Sequence, residues 1–145
     1  MSGPTVTGEA RLDNRGELIR ALDLDPDHGD RTSITDLALI LRAYQRWGDA
    51  CASRLLGDFA FVVHDDRTGR VFGARDHLGV KPFYYRASAG RLAFATRASA
   101  IAEVDGLPLE LDEARVADVC VCALECADRT STFYVGVLRL LRGTG

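Results

Sequence analysis

The sequence predicts a mixed α+β fold whose sheet is antiparallel. Apolar residues recur at helical spacing, with Leu37, Ile40, Leu41, Tyr44 and Trp47 on one face and Arg42, Gln45 and Arg46 opposite. A continuous apolar run, Phe59 to Val63, lies between Gly57 and the turn-forming Asp65-Asp66-Arg67-Thr68-Gly69. From residue 70 onward, strand-like segments follow one another through connections too short for a crossover helix, so neighbours must run antiparallel.

Residues 4–13 read as extended. Asn14-Arg15-Gly16-Glu17 then has the form of a capping box, the Asn14 oxygen offered to the first turn and Glu17 answering it. Leu18, Ile19 and Leu22 continue at helical spacing, and Asp23 to Asp30, with Pro26 and Gly29, ends the helix in an acidic loop. The second helix spans Thr35 to Gly48, where a glycine suits the C-terminal cap. A short helical piece follows around Cys51 to Leu56.

Phe59–Val63, rich in β-formers and apolar throughout, reads as a strand covered on both faces. Further strands are expected at Arg70–Ala74, Pro82–Arg86 and Arg91–Thr96, joined through Asp76-His77-Leu78-Gly79 and Ala87-Ser88-Ala89-Gly90 into one meander. A last helix runs from about Asp112 to Leu124, with Val116, Cys120 and Leu124 at i, i+4 and i+8. No internal repeat, low-complexity tract or second-domain linker interrupts the chain.

The 145 residues fit a single domain, long enough to bury a core without disulfide or metal staples. With 18 Lys and Arg against 21 Asp and Glu, the net charge of −3 and the lack of a basic stripe argue against nucleic acid or anionic lipid as a partner. Lys81 is the only lysine, a bias toward arginine that reads as coding preference. No apolar stretch approaches the roughly 20 residues of a membrane span, and the N-terminus has no leader pattern. A cytoplasmic location is the expectation.

Three of the four cysteines cluster as Cys120-Val121-Cys122-Ala123-Leu124-Glu125-Cys126. On a continuous helix Cys120 and Cys122 point roughly 200° apart, and His28, His64 and His77 are scattered. The cluster therefore reads as small, reduced, buried side chains, and no metal site is expected. His64-Asp65 and Asp76-His77 set imidazoles beside carboxylates, but strand neighbours face opposite sides and no nucleophile turn accompanies them. No glycine-rich loop cradles a phosphate. Ser2 could supply an N-terminal hydroxyl nucleophile, yet it reads as a frayed terminus with no opposing strands to build a pocket.

Four strings taken in order, Ala10-Arg11-Leu12-Asp13-Asn14-Arg15-Gly16-Glu17-Leu18, Thr35 to Tyr44, Leu56 to Phe61 and Ala74-Arg75-Asp76-His77-Leu78-Gly79-Val80-Lys81-Pro82-Phe83-Tyr84-Tyr85, resemble the asparagine synthetase family. The match lies in its N-terminal class II glutamine amidotransferase domain and runs over about residues 8–140. That resemblance implies the N-terminal-nucleophile hydrolase fold, a four-layer αββα sandwich of antiparallel sheets, here incomplete at its N-terminus.

Family members that hydrolyse glutamine attack it with an N-terminal Cys and pass ammonia to an ATP-using domain that adenylates a carboxylate. The resemblance implies that this chain lacks that Cys, so no residue is assigned as catalytic. Without gaps, the family's Asn-Gly-Glu, whose Asn helps the oxyanion hole, aligns with Glu9-Ala10-Arg11, a degenerate version of the motif. A carboxylate there reverses the electrostatics that amide hydrolysis requires. Thr35-Asp36 matches the family's Ser-Asp pair, whose Asp holds the substrate α-ammonium. From the residues alone Asp36 reads as a helix cap in preference to a ligand-binding group. Arg75, Asp76, Gly79, Lys81 and Pro82 form the family's structural string, with Gly57, Gly79 and Pro82 at turns and bulges and Arg75 and Asp76 as an ion pair.

The pattern looks closest to the degenerate branch that includes the lasso-peptide cyclases. The favoured expectation is a non-catalytic amidotransferase-like domain of an asparagine synthetase-type amide-forming enzyme, inactive alone and partnered by an ATP-using synthetase domain in cis or trans. On this reading the chain is a piece of a longer protein, holds no cofactor, and leaves ATP and Mg to the synthetase domain. Glutamine is a disfavoured ligand. Two alternatives stay open: a working glutaminase for asparagine synthesis whose true start lies upstream, and a stand-alone binding or regulatory remnant that self-associates through exposed sheet edges.

Overall fold

A computed structural model describes residues 3–24, 34–88, 90–105, 110–121 and 128–143. The chain divides into two compact units, Met1–Lys81 with Arg142–Gly145, and Pro82–Leu141. Both mix helix with antiparallel sheet, as the sequence predicts.

The first unit carries β1 (Thr5–Leu12), α1 (Arg15–Ala21), α2 (Asp36–Trp47), a 3-10 helix (Gly48–Arg54), β2 (Gly57–Asp65) and β3 (Arg70–Arg75). Its sheet has the order β1-β2-β3 and is antiparallel throughout, with Thr5 opposite His64, Leu12 opposite Gly57 and Asp65 opposite Arg70. All of Phe59–Val63 is buried, so the expectation of a strand covered on both faces holds. Phe59, Phe61 and Val63 face a core that α2 fills with Leu39, Ile40, Ala43 and Tyr44, and α1 with Leu18 and Ile19. Leu37, Leu41 and Trp47 pack at its margin, while Arg42, Gln45 and Arg46 are exposed.

Thr35 caps α2, its Oγ1 accepting the Ala38 N–H at 3.2 Å. Gly48 closes the helix with φ +59°, a left-handed conformation that suits glycine. α1 is different: Asn14 does not cap it with its side chain, contrary to the capping-box expectation. The Asn14 amide instead donates to Arg54 O at 2.9 Å and accepts the Leu56 N–H at 3.1 Å. Two bonds to a neighbouring segment replace one bond to the helix. Most of the expected acidic loop, from residue 25 on, lies outside the described residues.

The second unit carries β4 (Tyr84–Ser88), β5 (Arg91–Ala95), α3 (Ala98–Asp105), α4 (Glu113–Val121) and β6 (Leu138–Arg139), with sheet order β5-β4-β6. Ala93, Ile101 and Val137 form a small buried cluster, flanked by Tyr84, Ala95, Ala98 and Tyr134. Thr132 ties the last turn by donating to Val137 O at 2.8 Å. Phe83 and Phe94 stack with ring centroids 6.0 Å apart.

Four expectations are corrected here. The single meander is in fact two sheets, since β3 pairs with β2 and β4 pairs with β5 and β6, because the stretch from Asp76 to Phe83 forms a structured loop in place of a hairpin turn. The strand expected at Pro82–Arg86 begins two residues later, because Pro82 has no N–H for a ladder. Among its described residues α4 buries nothing, and Val116 and Cys120 on its expected apolar face are exposed. α3 and β6 were not expected, being a short helix of small residues and a two-residue strand.

Candidate functional site

The residues that sequence reasoning singles out converge on one cleft of the first unit. Its volume is about 390 Å³, it opens to solvent, and its walls are Gly8, Glu9, Ala10 and Arg11 of β1, Thr35, Asp36 and Leu37 at the start of α2, and Lys81. Strand alternation divides the β1 wall: Ala10 turns toward the core, and Glu9 and Arg11 stay exposed.

Asp36 sits in the first turn of α2, and both of its oxygens are engaged. Oδ2 accepts the Leu12 N–H at 3.0 Å, and Oδ1 accepts from the Arg15 guanidinium, which also donates to Ile34 O. The Asp36 carboxylate therefore ties together the end of β1, the start of α1 and the start of α2. Thr35 spends its hydroxyl on the helix cap.

Across the cleft, Lys81 Nζ lies 3.0 Å from Glu9 Oε2. Arg11 turns to Asp58 at 3.1 Å and to Asp13 at 2.8 Å. Charges in the cleft thus meet opposite charges from the same chain.

Lys81 is delivered by a tightly bonded loop. Asp76 is 1% exposed, and its carboxylate accepts the N–H groups of Val80 at 2.8 Å and Lys81 at 2.9 Å. Burial pushes the Asp76 carboxyl upward, but these backbone donors, the Gly79 N–H and nearby Arg75 outweigh it and leave it below the usual carboxylate range. Arg75 closes the loop from the other side, donating to the carbonyls of Lys81 and Gly79. Gly79 has φ +70°, a conformation that favours glycine, and a Cβ there would lie 3.3 Å from the Arg75 guanidinium. Pro82 begins the second unit.

The two His-carboxylate adjacencies are not built as dyads. His64 is exposed and pairs through Nδ1 with Asp66 at 3.0 Å, whereas Asp65 is buried and holds Arg67 at 3.1 Å. His77 sets its edge on the Phe59 ring, with centroids 6.3 Å apart. Among the described residues no cluster of His, Cys, Asp or Glu could hold a metal. Cys51 is fully buried, and burial first, then Asp49, pushes its thiol up to about 11. Cys122, Cys126, His28 and Ser2 lie outside the described residues.

Sequence reasoning missed Arg15 and Gly8 as parts of this site. Arg15 follows Asn14 in the matched string, but nothing in local spacing says that it reaches residue 36. The Glu9–Lys81 pair likewise joins strings 72 positions apart.

Comparison with known proteins identifies the family. Residues 12–145 match the family described as "Glutamine amidotransferase domain". The chain is 30% identical over 115 residues to asparagine synthetase [glutamine-hydrolyzing] 3 of Bacillus subtilis, covering 79% of this chain and 18% of that protein. It is 34% identical over 90 residues to putative asparagine synthetase [glutamine-hydrolyzing] 2 of Methanocaldococcus jannaschii, covering 61% of this chain and 18% of that protein. A putative asparagine synthetase [glutamine-hydrolyzing] of Mycobacterium bovis is 34% identical over 107 residues, with 72% and 16% covered. The chain thus spans less than a fifth of the length of each of these relatives. Among the described residues, no helix is long and apolar enough to cross a membrane.

Proposed function

We propose, from the premise that this chain belongs to the glutamine amidotransferase domain family of asparagine synthetase-like proteins, that it is a non-hydrolysing member serving an ATP-dependent amide-forming enzyme. Its fold would be the four-layer sandwich of that family, its place the cytoplasm, and its partner a synthetase domain in cis or trans. ATP and Mg would bind that domain and not this one.

The observation that carries this reading is the Glu9–Lys81 pair in the cleft. Attack on a glutamine side-chain amide builds negative charge on its oxygen, and catalysis needs hydrogen-bond donors aimed at it. By the resemblance of the sequence, Glu9 takes the place of the family's amide donor. A carboxylate there repels the developing charge, and the Lys81 cation beside it is neutralised by the contact. Asp36 supports the same reading, since the oxygens that would hold an α-ammonium already bind Arg15 and the Leu12 N–H. What remains is a scaffold that the Asp36 and Asp76 clusters hold in shape.

The test is glutamate release by the native gene product supplied with glutamine, ATP and Mg. The expected result is no glutamate above the enzyme-free blank, while ammonia or an amine supports ATP consumption. Glutamate formed in step with ATP use would overturn it. That result would establish the second reading, a working glutaminase, which the names of the similar proteins favour.

A further inference from the structure

In β4 the Arg86 Nη1 is buried and has no hydrogen-bond partner among the described residues. A guanidinium cannot shed its charge when it loses water, so a buried one calls for an acceptor to offset the cost. Strand pairing sets two more arginines on the same face, because residues opposite or two apart in a ladder share a side. Arg86 lies opposite Ala93 and Ser88 opposite Arg91, which makes Arg91 a diagonal neighbour of Arg86 across β4 and β5. Tyr84 lies opposite Arg139, which makes Arg139 the diagonal neighbour across β4 and β6. Diagonal positions are roughly 7–8 Å apart, within reach of arginine side chains.

Nothing acidic balances this face. Among the described residues no carboxylate pairs with Arg86, Arg91 or Arg139. None of β4, β5 and β6 contains an Asp or Glu. Arg91 is exposed, and Arg139 lays its guanidinium over the Tyr84 ring at 5.6 Å. Like charges gathered in this way repel one another unless an anion joins them. We propose that this face of the second unit binds a free phosphate-type oxyanion, inorganic phosphate or pyrophosphate, with Arg86 at its centre and Arg91 and Arg139 on either side.

The chemistry favours phosphate over a single carboxylate. A carboxylate fills one guanidinium fork, whereas a tetrahedral phosphate carries more charge and turns its oxygens in several directions, as three guanidiniums around it require. Access is provided as well. A Cβ at Gly136 would lie 3.6 Å from Arg86 Nε, so the side chain sits directly against an exposed turn that the Val137 N–H closes on Tyr134 O at 3.2 Å. Arg86 as a whole is half-buried, which leaves its guanidinium within reach of a dissolved anion. Positions 86, 91 and 139 form no basic run in the sequence; sheet pairing alone assembles them. The site lies wholly in the second unit and draws on no residue of the Glu9–Lys81 cleft, so it stands whether or not glutamine is hydrolysed.

Thermal melts of the full chain read the binding, with sodium phosphate or pyrophosphate exchanged for chloride at constant ionic strength. The melting temperature is expected to rise with either anion and to saturate. Half-saturation by pyrophosphate at the lower concentration assigns pyrophosphate as the occupant, and equal half-saturation assigns the single phosphate. Arg86→Met removes the unanswered cation, so it should melt no lower than the parent in chloride and lose the response to both anions. Arg91→Gln and Arg139→Gln change groups nearer the surface and keep the test open if Arg86→Met fails to fold. Each should raise the half-saturating concentration at least about threefold. A parent that neither anion stabilises, or variants that respond as the parent does, would overturn the proposal.

Discussion

Asn14 and Leu56 stand 42 positions apart and meet through the Asn14 side-chain oxygen, which accepts the Leu56 N–H at 3.1 Å. The same amide donates to Arg54 O, so one side chain completes the backbone of the segment that leads into β2. Asn14→Ala leaves both groups to water, and the unfolding free energy is expected to fall by about 1–2 kcal/mol in urea titration. Asn14→Ser, a better helix cap but too short to span both groups, should not restore it.

Gly57 has φ +135°, and a Cβ there would lie 2.0 Å from the Arg11 carbonyl oxygen across the β1–β2 ladder. Gly48 also has positive φ, but nothing lies within 4 Å of its Cβ position. Gly48→Ala is expected to cost about 1 kcal/mol from the backbone conformation alone. Gly57→Ala should cost about 3 kcal/mol or more, because strand separation adds to strain. Equal thermal shifts for the two variants would contradict the close approach.

Asp76 makes the stability of the first unit depend on pH in a defined direction. Its folded-state value lies below the unfolded one, so its stabilisation is complete above the unfolded value of about 4 and is lost as pH falls through the lower folded value. Asp76→Asn keeps the shape but turns an amide N–H toward backbone donors, at an expected cost of about 2–3 kcal/mol near neutral pH. The gap between the parent and this variant should narrow as the pH is lowered below about 4 in urea melts.

The thiols should separate by reactivity. Cys51 is buried and its thiol is pushed up to about 11, so at pH 8 it carries almost no thiolate and no reagent reaches it. Cys120 is exposed. Iodoacetamide should modify the Cys120 peptide in the native protein and the Cys51 peptide only after denaturation, as read by peptide mass spectrometry. Because the raised Cys51 value favours the neutral thiol in the fold, its contribution is full below pH ~9 and declines as pH rises toward 11.

The sequence disclosed those parts of the fold that one-dimensional periodicity governs. α2 was legible because its apolar and charged residues separate onto two faces, and β2 because five consecutive apolar residues need cover on both sides. The role of Asn14 was not legible, since a local cap and a distant pair of backbone groups compete for one amide and only the folded chain decides. Separation of β3 from β4 into different sheets was hidden for a related reason. The short Asp76–Gly79 segment has the length of a hairpin loop, but Arg75 and Asp76 bind its backbone into another shape. In the candidate site, Glu9 and Asp36 line one cleft, whereas their partners Lys81 and Arg15 come from elsewhere in the chain.

β2 pairs on one side with its immediate successor and on the other with a strand from the far end of the unit, and this asymmetry sets an order of assembly. The β2–β3 hairpin closes through Asp65–Gly69, where the Asp65 carbonyl accepts the Thr68 and Gly69 N–H groups at 3.1 and 2.8 Å. Such a turn forms within about 1–10 μs. β1 must close a loop holding α1, α2 and the 3-10 helix before Leu12 meets Gly57, a larger entropic step. β1 is therefore expected to dock after the hairpin, and stopped-flow refolding should give φ-values near zero for Val6→Ala but well above 0.5 for Phe72→Leu. A chain stalled before that step would hold a finished hairpin whose β2 still lacks one neighbour, the species from which misassembly begins.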